Sequence, residues 1–134
     1  MNLEEIYKRF PTQDDCLVYL EQIIWNAKPQ CPYCGSFRFS PLKMKRRYHC
    51  NSCNLSFRVT VRTIFHKTKL DLQKWFLAIS LILNTKEKIS SRKLAENLGI
   101  NRNTAWHIDS RIIRAMCEKQ SRDTLNKIIE MEFN

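Results

Sequence analysis

With 134 residues the chain is long enough for one ordinary domain or two very small ones. Its formal net charge is +10, from 23 Lys and Arg against 13 Asp and Glu. The longest apolar run, residues 75–83 interrupted by Ser80, falls well short of the roughly 20 residues that span a bilayer, so no membrane helix is expected.

The distribution of charge is more informative than its size. Ten of the basic residues and no acidic one lie between Lys28 and Lys69, so the rest of the chain balances at thirteen against thirteen. A solvated charged face is one reading of such a run. A whole segment without a carboxylate points instead to a polyanionic partner, because unbalanced like charge opposes folding and serves mainly to hold phosphates. The acidic start, Met1-Asn2-Leu3-Glu4-Glu5, lacks the basic and apolar parts of a secretory signal. The expected compartment is therefore cytoplasmic, in a bacterium and next to the nucleoid, where thiols stay reduced.

In chain order, residues 3–10 form a short amphipathic turn that ends at Pro11. Residues 12–24 read as a helix with Thr12 or Asp14 as N-cap, and with Leu17, Leu20, Ile23 and Ile24 on one face that Trp25 closes. With five acidic against two basic residues, these two segments suit a structural role better than contact with DNA.

Cys31-Pro32-Tyr33-Cys34 and Cys50-Asn51-Ser52-Cys53 follow, two C-x-x-C pairs separated by fifteen residues. Two tight turns presenting two thiolates each supply the four soft ligands of a tetrahedral zinc ion. Gly35 and Asn54, one residue past each pair, suit the positive φ that such a turn requires. Cys31, Cys34, Cys50 and Cys53 are thus the expected ligands of one structural Zn2+. Two disulfides or a redox pair fit reduced thiols poorly, and four cysteines leave no open position for a catalytic metal. His49 could replace a ligand but suits an exposed strand position better. Cys16 and Cys117 lack a partner at metal spacing and read as buried small apolar residues. Beyond the second pair, Phe57, Val59 and Val61 alternate with Ser56, Arg58, Thr60 and Arg62, which predicts a half-buried strand with a basic outer face.

From Asp71, a plausible N-cap, the period turns helical through Leu72, Trp75, Phe76, Ile79 and Leu83, apolar nearly all round, as for a buried first helix of a bundle. Helices are then expected over 91–97 and from 102 to about 119. Leu94, Ala95 and Leu98 pack inward, Gly99 ends the first helix left-handed, Ile100 plugs the turn, and Asn101 caps the second helix. Ala105, Ile108 and Ile112 form the buried stripe of that second helix. This is the layout of a helix-turn-helix, with a plain three-helix bundle as the alternative. Arg102, Asn103, Trp106, His107, Ser110 and Arg111 are left outward, where a recognition helix meets base edges. Arg102 and Asn103 are the best base readers, since Arg pairs bidentately with guanine and Asn with adenine. Lys43, Lys45, Arg46, Arg47, Arg58 and Arg62 are the expected backbone contacts of the ribbon. The tail, 120–134, is only weakly helical.

The fold class is accordingly α+β: N-terminal helices (1–27), a four-cysteine zinc ribbon of short antiparallel strands (28–69), an all-α helix-turn-helix bundle (70–119) and a tail (120–134). The expected partner is double-stranded DNA. No membrane and no small-molecule substrate are expected, and a homodimer is compatible with the sequence.

These motifs carry a resemblance. Phe10-Pro11, Cys31-Pro32-Tyr33-Cys34-Gly35, Tyr48-His49-Cys50-Asn51-Ser52-Cys53, the run Thr63-Ile64-Phe65-His66-Lys67-Thr68-Lys69-Leu70, Trp75-Phe76-Leu77-Ala78-Ile79 and Thr104-Ala105-Trp106-His107 together resemble the N-terminal region of bacterial insertion-sequence transposases. In that family a zinc ribbon precedes a DDE catalytic domain. The resemblance covers about residues 10–116 and implies binding to the inverted-repeat ends of a mobile element. Two departures stand out. Arg62 occupies a position that is usually glycine. The carboxylate-bearing ribonuclease-H-like domain, expected after this region, has no counterpart, although Ile129-Glu130-Met131-Glu132 resembles the lead-in to its first acid. The expectation is therefore a binder without a catalytic site. A stand-alone regulator derived from a transposase, or a ribbon adaptor that binds protein, are the alternatives.

Overall fold

The structure, a computed structural model, describes residues 2–43, 46–66, 68–83 and 88–130. Its architecture is α+β: helices α1 (Leu3–Arg9) and α2 (Gln13–Trp25), strands β1 (Phe39–Pro41), β2 (Tyr48–Cys50) and β3 (Ser56–Phe57), then α3 (Leu72–Leu83), α4 (Ser91–Leu98), α5 (Arg102–Ala115) and α6 (Lys119–Glu130). Two compact units divide the chain, one comprising Met1–Pro11 with Thr68–Asn134, the other Thr12–Lys67. The two N-terminal helices thus go to different units, where the sequence suggested a single segment.

The unit Thr12–Lys67 joins α2 to a three-stranded antiparallel sheet of order β1-β2-β3. Thr12 starts α2 with a capping box: its hydroxyl accepts from the Asp15 N–H, and the Asp15 carboxylate accepts from the Thr12 N–H. The sheet is small, pairing Phe39 with Cys50, Pro41 with Tyr48, and Tyr48 with Phe57. Its core is aromatic. Trp25 at the end of α2 meets Tyr48 and Phe57 edge-on at 5.9 and 5.8 Å, and Tyr48 stacks on Phe57 at 5.6 Å.

The half-buried strand expected over 56–62 stops at Phe57. Continuing the ladder would bring Val59 opposite Arg46, but Arg46 is left-handed (φ 57°) and leaves the strand direction. The chain instead turns repeatedly, with Val61 N–H donating to Arg58 O and Thr63 N–H to Thr60 O. Arg62 sits at φ 65°, so the arginine keeps the conformation that favours glycine.

In the other unit α3 is the hub, buried at Leu72, Gln73 and from Trp75 to Ser80, with α1, α4, α5 and α6 packed around it. A helix apolar on every side needs cover on every side. Phe10 meets Phe76 edge-on at 5.4 Å, and the buried Gln73 amide donates to Phe10 O at 2.9 Å. The tail supplies a further cover: α6 buries Leu125 and Ile128, three residues apart, and packs on α3. The second bundle helix ends at Ala115, short of the expected 119, because Cys117 and Glu118 N–H groups bond three residues back in a tight turn. Cys117 is exposed there, not buried as the sequence suggested, whereas Cys16 is fully buried.

The α4–α5 connection is built locally. Ser90 caps α4 by accepting from Lys93 N–H, and Gly99 (φ 64°) ends it, with Gly99 and Ile100 N–H groups both donating to Ala95 O. Asn101 Oδ1 accepts from Thr104 N–H at 2.7 Å and starts α5. A Cβ at Gly99 would meet Leu3 Cδ1 only at 4.0 Å, so the position constrains conformation and not space. Gly99→Ala should therefore cost about 1 kcal/mol, and Gly99→Asn less, measured by urea denaturation of the helical unit. Equal stability for both variants would contradict this account. Among the described residues, no helix is long and apolar enough to cross a membrane.

Candidate metal centre and nucleic-acid interface

Both C-x-x-C turns have the same backbone. Gly35 N–H donates to Cys31 O and Cys31 N–H to Ser36 O, while Asn54 N–H donates to Cys50 O and Cys50 N–H to Leu55 O, all at 2.9 Å. Gly35 (φ 77°) and Asn54 (φ 64°) hold the left-handed position in each, as the sequence predicts. The first turn leads toward β1 and the second follows β2, so the sheet brings them face to face. Ser36 and Ser52 hydroxyls bond across the gap at 2.8 Å.

The four sulfur ligands lie within 4.8 Å of one another. Across the two turns, Cys31 Sγ is 3.7 Å from Cys53 Sγ and Cys34 Sγ 3.5 Å from Cys50 Sγ. A tetrahedral ion with metal–sulfur bonds of about 2.3 Å requires sulfur separations of about 3.8 Å. Donor type, number and spacing therefore fit a four-thiolate metal site. Among the described residues these cysteines are the cluster able to hold a metal. Their titrations oppose one another. The Cys50 thiol is held down to about 6, first by the Cys53 N–H and also by the Ser52 N–H and neighbouring thiols. Cys34 is pushed up to about 12: the Ser36 N–H lowers it, but desolvation and hydrogen bonds with the other three thiols prevail.

The basic residues of the ribbon separate into different situations. Lys43 is exposed, Arg47 half-buried, and Lys45 lies outside the described residues. Arg62 is exposed, with its guanidinium over the Tyr33 ring at 5.9 Å from the centroid. Arg58 is half-buried, and its Nε is enclosed without a hydrogen-bond partner among the described residues. Arg46 has carboxylate partners within the unit: its guanidinium pairs with Glu21 at 3.2 Å and Asp14 at 3.6 Å. Glu21, only 7% exposed, also accepts from the Tyr48 hydroxyl with both oxygens, at 2.9 and 3.1 Å. Burial and the Glu21 carboxylate push the Tyr48 phenol up. The ribbon is not free of carboxylates in three dimensions, because α2 supplies them. The signal in the sequence was Asp14 and Glu21, seven residues apart on one helix face ahead of a basic segment.

On α5 the buried side is Ala105, Ile108, Ile112 and Ala115. The opposite side presents Arg102, Asn103, Trp106 and His107, all exposed, with Ser110 half-buried. Trp106 is 56% exposed, so it is not a core residue, and its ring meets His107 edge-on at 5.1 Å. Arg111 lies toward the edge of this face, with its guanidinium 5.5 Å from the Trp75 ring centroid on α3.

Residues 11–56, from Pro11 to the first residue of β3, match the family model of the transposase zinc-ribbon domain. Over 112 residues, 81% of this chain, the sequence is 27% identical to a protein of the transposable element ISH50 from Halobacterium salinarum. The matched stretch spans 37% of that relative's length. No solved structure matches the chain. The chain is thus similar to the transposase zinc-ribbon domain over residues 11–56, which carry the four cysteines, and to a transposable-element protein over most of its length.

Proposed function

We propose that this chain is a zinc-dependent, sequence-specific DNA-binding protein whose α4–α5 pair is a helix-turn-helix. The observation that carries the reading is the exposed face of α5, which begins directly after the Gly99-Ile100-Asn101 turn and sets Arg102, Asn103, Trp106 and His107 outward from a buried stripe. The matches to a transposase zinc ribbon and to a transposable-element protein support the ends of a mobile element as the target. One Zn2+ on the four cysteines holds the ribbon in shape, and four thiolates close its coordination shell.

On this reading Arg102 and Asn103 read bases, while Lys43, Lys45, Arg47, Arg58 and Arg62 hold phosphates. Arg46 is removed from that set, because two carboxylates already neutralise it. Five phosphate contacts give a slope of about −4.5 for log affinity against log salt. Asn103→Ala should lower affinity for the selected site about tenfold and leave random duplex within twofold, whereas Arg47→Ala should weaken both alike. Site selection from random duplex followed by anisotropy titrations at several salt concentrations measures all of these. A flat salt response would favour a protein partner, and a footprint on a promoter instead of inverted repeats would favour a regulator.

No cleavage is assigned to these residues. Strand transfer in the resembled transposases uses gathered carboxylates and two metal ions, and the described metal-ligating cluster is made of thiols. Metal-dependent nicking of DNA by this chain alone would overturn that assignment.

A further inference from the structure

Within the unit Thr12–Lys67, Ala27, Lys28, Pro29, Phe37 and Phe39 line an open hollow of about 510 Å³, next to the cysteine-bearing core on which Phe39 packs. Of the lining residues, Phe39 is half-buried and packs edge-on against Tyr48 at 5.4 Å and 89°. Phe37, two residues earlier and lining the same hollow, is 62% exposed, the largest exposure among the large apolar residues described. Pro29 adds a flat apolar wall and Lys28 a cation. Asn26 (φ 50°) and Ala27 (φ 64°) are both left-handed at the rim, and alanine rarely adopts that conformation.

An apolar protein segment would fit the apolar lining but would meet Lys28 and a unit in which nine basic residues outnumber three acidic ones. A nucleotide combines a flat apolar face with an anionic phosphate, and basic surfaces carrying exposed aromatic rings hold unpaired bases by stacking. In duplex DNA the base faces are already stacked on their neighbours. We therefore propose that this hollow is a binding site for an unpaired nucleotide of DNA, with its base on Phe37 and its phosphate toward Lys28. The proposal rests on reading the chain as a DNA-binding protein, but not on duplex recognition by α5.

The test uses the full, zinc-loaded chain with two probes: a single-stranded oligonucleotide carrying one 2-aminopurine, and a blunt, fully paired duplex. The native protein should bind the single strand and change the 2-aminopurine fluorescence. Phe37→Ala should weaken single-strand binding about tenfold and abolish the fluorescence change, with duplex affinity held within twofold. Phe37→Trp should retain both properties, which separates stacking from a loss of folding. Unchanged single-strand affinity in Phe37→Ala, equal weakening of both probes, or no single-strand binding by the native chain would each overturn the proposal. Single-strand binding without duplex binding would instead sink the duplex reading and leave this one standing.

Discussion

Chelation of the metal proposed for the four cysteines should unfold the unit Thr12–Lys67 while the unit built on α3 stays folded. The reason lies in how little else holds the ribbon. Its strands are three, three and two residues long, and the cluster packed on the sheet consists of Cys31, Tyr48, Cys50 and Phe57, with Trp25, Phe39 and Cys53 against them. Three of those seven residues are ligands. A unit of this size buries too little apolar surface to fold without a staple, and α2 by itself is too short to persist in water. Metal binding supplies about 10–16 kcal/mol in comparable four-ligand sites near neutral pH. The tryptophans report the two units separately, since Trp25 belongs to the ribbon unit and Trp75, fixed by its indole N–H to Thr68 Oγ1 at 2.8 Å, to the helical one. After chelation the Trp25 indole resonance should move to its unfolded position and that of Trp75 should stay. Cys50→Ser should do the same without a chelator. A Trp25 signal untouched in metal-free protein would refute the structural role of the site.

The second large effect is expected at Glu21, a residue with no place in the metal site. Glu21→Ala should destabilise the metal-loaded ribbon unit by about 3 kcal/mol. The substitution leaves the Tyr48 hydroxyl in the core without its acceptor and removes the nearer partner of Arg46. Glu21→Gln should recover part of the loss, because its amide oxygen still accepts from Tyr48. Arg46→Ala should cost only about 1 kcal/mol, since the Arg46 side chain is more than a third exposed and screened by water. Urea denaturation followed by Trp25 fluorescence ranks the three, and a Glu21→Ala loss below about 0.5 kcal/mol would contradict the role given to this network. The same variants bear on DNA. Arg46→Ala, once folded, should bind duplex like the native chain, whereas Arg47→Ala should not.

Features that depend on a few consecutive residues were readable directly from the sequence. The cysteine spacing, with Gly35 and Asn54 behind each pair, encodes two identical turns because positive φ and short-range hydrogen bonds are local properties. The α4–α5 turn follows the same logic through Ser90, Gly99 and Asn101, and the all-round apolarity of α3 announced a buried helix. What tertiary structure alone decided was pairing between distant segments. The alternation from Ser56 to Arg62 promised a strand, but a strand exists only where a partner continues, and Arg46 turns away to meet Asp14 and Glu21. The acidic α2 and the basic ribbon read as separate pieces, yet their charges meet in one unit, where Arg46 pairs with Asp14 and Glu21. The weak apolar pattern of 120–130 became α6 because α3 offered Leu125 and Ile128 a surface to cover. Local backbone preferences act through bonded neighbours and are written in the sequence, whereas ion pairs, strand length and helix cover depend on contacts that exist only once the chain has closed on itself.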